Sequence, residues 1–587
     1  MAMTEQERTF RAVAFMGVAL VLGGILGGRL YHLQLAEGDT FLKRAEGNRL
    51  RVIPQTAPRG VIKDRHGRVL ASNRLSYSLA LYPSKMTKAQ IDEVLQRLKA
   101  LVNIDMADAK KKLERLGYHS PHPIKIRNDL DSRTIALVAE NQGELPGVSI
   151  EPDTIRYYPH GRLAAHLLGY TGEITDTELG RLKDHPYRQG DVLGKAGIER
   201  VHDIKLRGTD GSRQVEVDAR GRPGQTLRII PAIPGEDMQL YLDLDLQRAA
   251  EAALDEKKLT GAIVAMNPQN GEILALASRP AFDPNIFSRK VKPHEWQELQ
   301  KANYPFVNRA LSAYPPGSIY KIPMAMAALA SGKATPGRLF QSKGSMRVGN
   351  RIFHDWYAPG FGTVDLVKSL QWSIDTVYYE LGVEMGPDIM AKHARDAGLG
   401  EPTGFELGGE SAGLIPDRAW KKRVLKDKWW PGDSANVSIG QGWVSVTPMQ
   451  AVVMTSTYAN GGKVVVPRVV DTGSPAPPPK RVLTWNPKHL EVVRKGLRAV
   501  VSEGTGTAVD VPGKQVAGKS GSAENGQKKT HAWFVAYAPE KDASVAVVAF
   551  AEAAGHGGEI AAPMARKVLD QYFGIKDGKI RRAPISD

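Results

Sequence analysis

Residues 314–321 read Tyr-Pro-Pro-Gly-Ser-Ile-Tyr-Lys, and the rest of the chain can be interpreted around this octapeptide. Two prolines and a glycine cannot continue a helix, whereas residues 319–329 are apolar and rich in Ala and Met. We therefore expect a helix to begin close to Ser318. Residues three apart share one helix face, which puts the Lys321 amine within reach of the Ser318 hydroxyl.

The Ser-x-x-Lys spacing suits nucleophilic catalysis. A hydroxyl attacks well only when a neighbouring base takes its proton, and a lysine kept neutral by burial or nearby cations can be that base. A helix N-terminus also offers free N–H groups to a developing oxyanion. The tetrapeptide alone is weak evidence, because a chain this long should hold roughly two by chance.

Length and composition indicate a globular protein of several folding units in an anionic environment. The chain has 587 residues, 42% of them hydrophobic and 24% charged, which argues against wholesale disorder. The net charge of +16 fits a cell envelope better than nucleic acid, because no aromatic-interleaved basic cluster is present. With no cysteine, and with His354 beside Asp355 a poor ligand set, we expect neither a metal nor a cofactor.

An apolar segment near the N-terminus predicts a membrane anchor. Residues 12–28 carry no charge, and the apolar character continues past Arg29 to Leu35. This segment is longer than the apolar part of a signal peptide and lacks a clean cleavage site, so residues 12–35 are predicted to be an uncleaved transmembrane helix after a tail at 1–11. Cations flank it on both sides, so charge alone leaves its orientation open.

The remainder divides near residue 240. Residues 36–240 are polar, with a strand, a His-Gly turn and a strand at 59–73 and a helical subdomain that begins after a Thr87 cap; we predict an elongated, β-rich pedestal. Residues 241–587 begin with an Ala-rich helix that ends around Lys257, continue with a hairpin around residues 267–271 and a mostly helical middle, and end in further strands and a helix. We predict an α+β multidomain protein whose C-terminal domain is an α/β sandwich with a largely antiparallel sheet.

A second lysine opens the late sheet region, in Lys519-Ser520-Gly521-Ser522. Residues 513–520 also match the phosphate-binding loop pattern G-x-x-x-x-G-K-S. Such a loop must open a helix, whereas residues 521–526 disfavour one, and too few residues follow for a nucleotidase domain. We therefore expect Lys519 to lie on a strand beside Ser318.

The third element of a Ser-x-x-Lys site is a further serine with an amide or carboxylate, and two segments qualify. Ser434-Ala435-Asn436 fits the usual Ser-x-Asn, whereas Ser373-Ile374-Asp375 carries an aspartate. We favour Ser373 and Asp375, because residues 366–381 look helical and Ser434 leads directly into a glycine-rich segment.

In this order, the segments beginning at Ser318, Ser373 and Lys519 resemble the active-site motifs of penicillin-binding proteins and serine β-lactamases. Further segments narrow the resemblance to class B penicillin-binding proteins, and within them to the elongation-specific penicillin-binding protein 2 group. They are Arg59-Gly60, Asp64-Arg65, residues 194–199, Gly440-Gln441-Gly442, Val446-Thr447-Pro448, Asn460-Gly461-Gly462 and His531-Ala532-Trp533-Phe534.

The resemblance implies a D,D-transpeptidase that cross-links peptidoglycan during cell-wall elongation and is inhibited by β-lactams. Ser318 would attack the D-Ala-D-Ala carbonyl of a stem peptide, with Lys321 as base and Ser373 as proton relay. Lys519 and Ser520 would bind the terminal carboxylate beside Gly521, and the N–H groups of Ser318 and Ser522 would form the oxyanion hole. Asp375 replaces the common Asn of the family, and Ser520 replaces the common Thr.

The family also implies a single-pass inner-membrane protein with its N-terminus inside and residues 36–587 outside. Its expected partner is a glycan polymerase of the shape, elongation, division and sporulation (SEDS) family, in contact with the pedestal. Three alternatives stay open: a division-specific transpeptidase, a β-lactamase or β-lactam sensor, and a scaffold whose serine is dispensable.

Overall fold

The computed structural model describes residues 5–39, 50–84, 86–120, 122–217, 223–289, 291–526 and 529–575. These residues form two compact units that alternate along the chain. The first unit comprises Met1–Pro58, Arg74–Ile155 and Gly208–Gly235, and the second comprises Arg59–Asn73, Arg156–Arg207 and Glu236–Asp587. The domain bounds predicted from the sequence, at 36–240 and 241–587, stay a prediction.

The first unit begins with a long apolar helix. It runs over Glu5–Tyr31 and continues as a short π-helical segment, His32–Ala36. Within the described residues this is the one helix long and apolar enough to cross a membrane, with a mean hydropathy of 2.0 over its best window and no buried side chain. The predicted anchor at 12–35 lies inside it.

The rest of the first unit combines a small sheet with a helical subdomain. The antiparallel sheet has the strand order Leu50–Gln55, Gly211–Val217, Pro223–Ile230. The subdomain contains helices Lys88–Val102, Met106–Leu116 and Ser132–Glu140 and strand Ile124–Arg127, while strands Val69–Leu81 and Val148–Tyr157 contribute to both units. Thr87 caps the first of these helices as predicted, since its hydroxyl accepts from Gln90 N.

A five-stranded antiparallel sheet forms the centre of the second unit. Its strand order is Ile273–Arg279, Gly261–Met266, Val545–Ala551, His531–Ala538, Ala517–Ala523. Successive residues of a strand face opposite sides of a sheet. Accordingly, Val264 packs with helices Lys321–Ala330 and Pro448–Ala459, whereas Ile263 packs with helices Leu244–Asp255 and Ala562–Tyr572. The predicted α/β sandwich and its antiparallel hairpin are confirmed.

Further helices and short strands complete the second unit. Its other α-helices are Ala165–Leu168, Asp176–Arg181, Gly197–Val201, Asp203–Arg207, Pro293–Lys301, Leu366–Gln371, Asp375–Asp396, Arg418–Val424, Pro431–Ser438 and Pro487–Ser502. Its other strands are Ile62–Lys63, Thr171–Glu173, Val192–Gly194, Met238–Leu240, Phe340–Ser342, Ser345–Val348, Arg351–His354, Gly362–Val364, Lys463–Val464, Val470–Asp471 and Arg481–Val482.

A buried charge cluster joins two segments that the sequence singled out. Glu199 is fully buried and accepts from Arg59 Nη2 at 2.8 Å, from Arg156 Nε at 2.5 Å and from Tyr158 Oη at 3.3 Å. Arg59 also pairs with Asp203 at 2.8 Å. Burial alone would raise the pKa of Glu199, but the two arginines hold it below its usual value. This carboxylate therefore stays charged and ties remote parts of the second unit together.

Candidate active site

Ser318 lies on a tight turn that leads into a buried helix. Gly317–Tyr320 forms one 3₁₀ turn, and the α-helix Lys321–Ala330 follows directly. Ser318 is partly exposed, whereas Ile319, Tyr320 and Lys321 are buried. The predicted helix start is thus correct to within one turn, and the serine is the residue of this turn that faces solvent. We call Gly317–Tyr320 the nucleophile turn.

Neighbouring segments hold the nucleophile turn in place. Gly317 N donates to Gly440 O at 3.0 Å, and the buried Trp533 indole donates to Pro315 O at 2.9 Å. Gly317 has a φ of +55°, and a Cβ at this position would lie 2.6 Å from the backbone oxygen of Ser522. A side chain here would therefore push the turn away from the strand beside it.

Lys321 is the centre of the site. Its side chain is fully buried, and its amine donates to Ser373 O at 2.6 Å, to Ser373 Oγ at 3.2 Å and to Asp375 Oδ1 at 2.6 Å. The Tyr378 ring lies below the amine, 5.4 Å from its centroid. The structure therefore brings together Lys321, Ser373 and Asp375, which the sequence predicted to be neighbours.

Ser373 has a conformation that the sequence analysis did not anticipate. Helix Leu366–Gln371 ends before it and helix Asp375–Asp396 begins after it, so residues 366–381 are helical on both sides of Ser373 but not at Ser373 itself. The predicted helical context of residues 366–381 is therefore correct on both flanks and is interrupted around Ser373. Ser373 has a φ of +56°, in the left-handed region that residues with a side chain rarely adopt.

Asp375 is a carboxylate in a largely desolvated position, with 16% of its side chain exposed. Burial raises its pKa above the usual value and Asp355 raises it further, while Lys321 and Lys519 act in the opposite direction. The Asp375 charge therefore depends on the Lys321 ammonium beside it.

The strand Ala517–Ala523 forms the edge of the central sheet and passes the nucleophile turn. A Cβ on Gly521 would lie 2.9 Å from Pro316 O and 3.2 Å from Ile319 N, so this strand carries a glycine where the two backbones meet. Lys519 is fully buried and donates to Ser520 O at 3.0 Å. Because Lys519 and Ser520 lie inside a strand and do not open a helix, the structure contradicts the phosphate-loop interpretation.

The two serines of this strand have separate partners. Ser520 Oγ lies 2.8 Å from Thr505 Oγ1, in a fully buried position. Ser522 Oγ accepts from Gly557 N at 3.2 Å. Thr505 is thus the partner of the Ser520 hydroxyl, and the backbone of Gly557 is the partner of the Ser522 hydroxyl.

The rival serine lies elsewhere. Ser434 belongs to helix Pro431–Ser438, and its hydroxyl accepts from Trp429 Nε1 at 2.9 Å. The Lys321 amine is bonded to Ser373 and Asp375 instead. The geometry therefore favours Ser373 over Ser434 as the second serine of the site.

Sequence reasoning missed Asp355 and Trp356, which bond to the backbone on either side of Ser373. The sequence alone marks Asp355 only as a poor metal ligand beside His354. Within the described ranges, no group of three or more His, Asp or Glu residues is placed to hold a metal ion. No local pattern marks these two residues, because their partners are 16 and 21 positions further along the chain.

Two family profiles match consecutive parts of this chain. The penicillin-binding protein transpeptidase domain matches residues 261–570, and the penicillin-binding protein dimerisation domain matches residues 54–240. The chain belongs to the class B penicillin-binding proteins. The family resemblance drawn from the sequence motifs is thereby confirmed.

Relatives within this family are similar over almost their whole length. The peptidoglycan D,D-transpeptidase MrdA of Haemophilus influenzae is 35% identical over 96% of this chain and 91% of its own length. MrdA of Escherichia coli K12 is 32% identical over 96% of this chain and 93% of its own length.

Solved structures show the same fold. Helicobacter pylori PBP2, in a complex with MreC, has a TM-score of 0.79 and 27% identity, covering 89% of this chain and 99% of that chain. A chain from a peptidoglycan synthase complex that coordinates polymerization and crosslinking has a TM-score of 0.72 and 32% identity. The match covers 97% of this chain and 99% of that chain.

Proposed function

We propose that this chain is a peptidoglycan D,D-transpeptidase of cell-wall elongation that β-lactams inhibit by acylating Ser318. One observation carries the proposal: a partly exposed serine lies one turn before a fully buried lysine whose amine is bonded to Ser373 and Asp375. The relatives named MrdA, at 32–35% identity, favour elongation over the division-specific alternative.

The reaction proceeds in two transfers. Ser318 Oγ bonds to the carbonyl carbon of the penultimate D-Ala, the peptide C–N bond breaks, and the terminal D-Ala leaves with the proton that Ser318 lost. An acceptor amine then attacks the resulting ester, gives a proton back to Ser318 Oγ and forms the cross-linking amide. Lys321 acts as the base for Ser318, and Ser373 passes the proton to the leaving group.

In the resting site, Lys321 uses three donors, to Ser373 O, Ser373 Oγ and Asp375 Oδ1, and an ammonium has three protons to give. Lys321 must therefore release a proton before it can accept one from Ser318. A carboxylate accepts a proton more readily than a hydroxyl does, and burial raises the pKa of Asp375, an effect that Lys321 opposes and Asp355 reinforces. We assign Asp375 as the group that holds this proton.

Substrate recognition uses the edge strand Ala517–Ala523. An extended stem peptide can pair with a free strand edge through its backbone. In this arrangement Lys519 and Ser520 bind the terminal carboxylate, and the N–H groups of Ser318 and Ser522 stabilise the oxyanion. Gly521 allows the strand and the nucleophile turn to approach closely enough for both to contact one carbonyl.

Covalent labelling with a fluorescent penicillin tests the proposal. Wild type should form a stable adduct and Ser318→Ala none, while Ser373→Ala should label far more slowly. Ser434→Ala is the matched control, because it removes the rival serine and should label like wild type. An unlabelled wild type would refute the assignment, and rapid release of the label would indicate a β-lactamase.

A cellular test separates the enzyme from a scaffold. If Ser318→Ala is the only copy in the cell, the transpeptidase proposal predicts loss of normal cross-linking and cell shape. Normal cross-linking in that strain would instead support a protein that acts without its serine.

We also propose that the N-terminus is cytoplasmic and that residues 36–587 lie outside the membrane. The helix Glu5–Ala36 supports a single span. The chain has no cysteine, so one cysteine at a time can be introduced at Gln6 or Lys111 and probed in spheroplasts with an impermeant maleimide. Labelling at Lys111→Cys alone is expected, and labelling at Gln6→Cys alone would reverse the orientation.

The proposed partner is a membrane-embedded SEDS glycan polymerase. The support is the likeness to a chain of a peptidoglycan synthase complex, over 97% of the present chain. Co-purification of the full-length chain with a co-expressed polymerase in detergent tests it, with Ser318→Ala expected to co-purify equally well. Separation of the two proteins on size-exclusion chromatography would contradict this partner.

A further inference from the structure

Two adjacent residues, Asp355 and Trp356, bond to the chain on either side of Ser373, at Thr376 three residues after it and at Trp372 directly before it. The Trp356 indole donates to Trp372 O at 3.0 Å. Asp355 Oδ2 accepts from Thr376 N at 3.0 Å and from Thr376 Oγ1 at 2.9 Å. One short segment therefore fixes the backbone on both flanks of the second active-site serine.

The backbone between these two contacts needs such support. Ser373 has a φ of +56°, which a residue with a Cβ adopts only when its surroundings impose it. The residue before helix Asp375–Asp396, Ile374, offers no side chain to cap it. Asp355 takes over that task from a distant part of the chain by binding a free N–H of the first helical turn.

The supporting segment is itself firmly held. Asp355 is 7% exposed, its backbone N donates to Gly344 O at 2.8 Å, and its Oδ1 accepts from Trp356 N at 3.0 Å. The Trp356 ring packs against Phe361 with centroids 5.6 Å apart. A buried carboxylate and a half-buried indole with these contacts keep one geometry, so they can impose a conformation on their neighbours.

We propose that Asp355 and Trp356 are positioning residues that hold Ser373 in its left-handed conformation, with its carbonyl and hydroxyl oxygens both directed at Lys321. This inference rests on the proposed function of Ser318, Lys321 and Ser373. The conformation matters because both oxygens of Ser373 accept from one amine, at 2.6 and 3.2 Å. Without the two flanking contacts, the segment relaxes to an ordinary backbone conformation and Ser373 Oγ moves away from the Lys321 amine.

The charge of Asp355 has a second effect on the same site. Asp375 lies one residue before Thr376, and Asp355 adds to the effect of burial in raising the pKa of Asp375. Lys321 and Lys519 lower the pKa of Asp375, whereas Asp355 raises it. Neutralising Asp355 should therefore also change how acylation depends on pH.

The test is the acylation kinetics of the full-length protein with a fluorescent penicillin, resolved into non-covalent affinity and the acylation rate constant. Trp356→Phe keeps an aromatic ring but loses the indole donor, and should lower the rate constant about tenfold with unchanged affinity. Asp355→Ala should lower it at least as much, and Asp355→Asn, which keeps an acceptor oxygen for Thr376, should recover most of that loss. The matched control is Asp365→Ala, because Asp365 caps the neighbouring helix through Lys368 N at 2.8 Å.

A double-mutant cycle distinguishes positioning from general stability. In a Ser373→Ala background, Trp356→Phe should slow acylation by a smaller factor than it does when Ser373 is present, because the hydroxyl is gone and only the backbone carbonyl of residue 373 remains to be positioned. An equal loss in both backgrounds would overturn the proposal, as would wild-type kinetics in Trp356→Phe. Asp365→Ala should lower the melting temperature without slowing acylation. If wild type itself forms no adduct, the proposed function fails instead.

Discussion

Adding one methyl group at Gly521 should separate the edge strand from the nucleophile turn. A Cβ there would lie 2.9 Å from Pro316 O, whereas ordinary contact begins at 3.4 Å. The neighbouring atom is backbone, so no side chain can turn aside, and the turn must move by about 0.5 Å. Since a displacement of about 1 Å at a catalytic group costs about 100-fold in rate, Gly521→Ala should acylate about tenfold more slowly.

The assay is the acylation rate constant with a fluorescent penicillin, measured alongside the melting temperature. Gly172→Ala is the matched control, because it also adds a methyl group to a strand glycine but meets only the movable Lys195 side chain, at 3.2 Å. The control should acylate at the wild-type rate. If Gly521→Ala acylates within twofold of wild type, the close approach of strand and turn does not determine the geometry of Ser318.

Three further substitutions test other parts of the site and fold. Asp375→Asn removes the proposed holder of the Lys321 proton, so the pH dependence of the acylation rate should differ from that of wild type; identical pH profiles would contradict the assignment. Trp533→Phe loses the bond to Pro315 O and should reduce the free energy of unfolding by about 1 kcal/mol and slow acylation severalfold, as measured by urea unfolding and labelling. Glu199→Gln removes the carboxylate that the buried Arg59 and Arg156 share, so that Arg59 keeps only Asp203 as an ionic partner, and it should cost about 3–5 kcal/mol at neutral pH. Because the pKa of Glu199 is held below its usual value, its contribution to stability is present at neutral pH and lost on acidification. Urea unfolding should show a larger loss of stability on acidification in wild type than in Glu199→Gln, in which only the other carboxylates of lowered pKa contribute.

Local sequence was sufficient to predict elements whose geometry is set within a few residues. The helix start beside Ser318 is one of them, because prolines and a glycine precede it and an apolar run follows. The contact between the Ser318 hydroxyl and the Lys321 amine stays a prediction. The strand nature of Ala517–Ala523 followed from the helix-disfavouring residues after Lys519. The central hairpin followed from turn residues between two apolar runs. In each case the information lies within about ten residues of the element.

The conformation of Ser373 could not be predicted in this way. The sequence around it contains no glycine or proline to mark a break, and helix propensity alone would continue through it. The break is imposed by Asp355 and Trp356, whose bonds form only after the chain has folded back on itself. The contact between Arg59 and Glu199 could not be predicted either. The motifs single out Arg59-Gly60 and residues 194–199, but they do not show that the two segments meet in the folded chain.

The two glycines that border the nucleophile turn restrict how this protein can evolve resistance to β-lactams. A side chain at Gly317 or Gly521 would be directed at backbone atoms, at 2.6 and 2.9 Å, so it would displace the reactive serine before it could obstruct an inhibitor. The drug and the natural peptide would lose reactivity together. Discrimination between them must therefore arise at positions further from Ser318, where a change can meet the bulk of a drug and leave the geometry of acyl transfer intact.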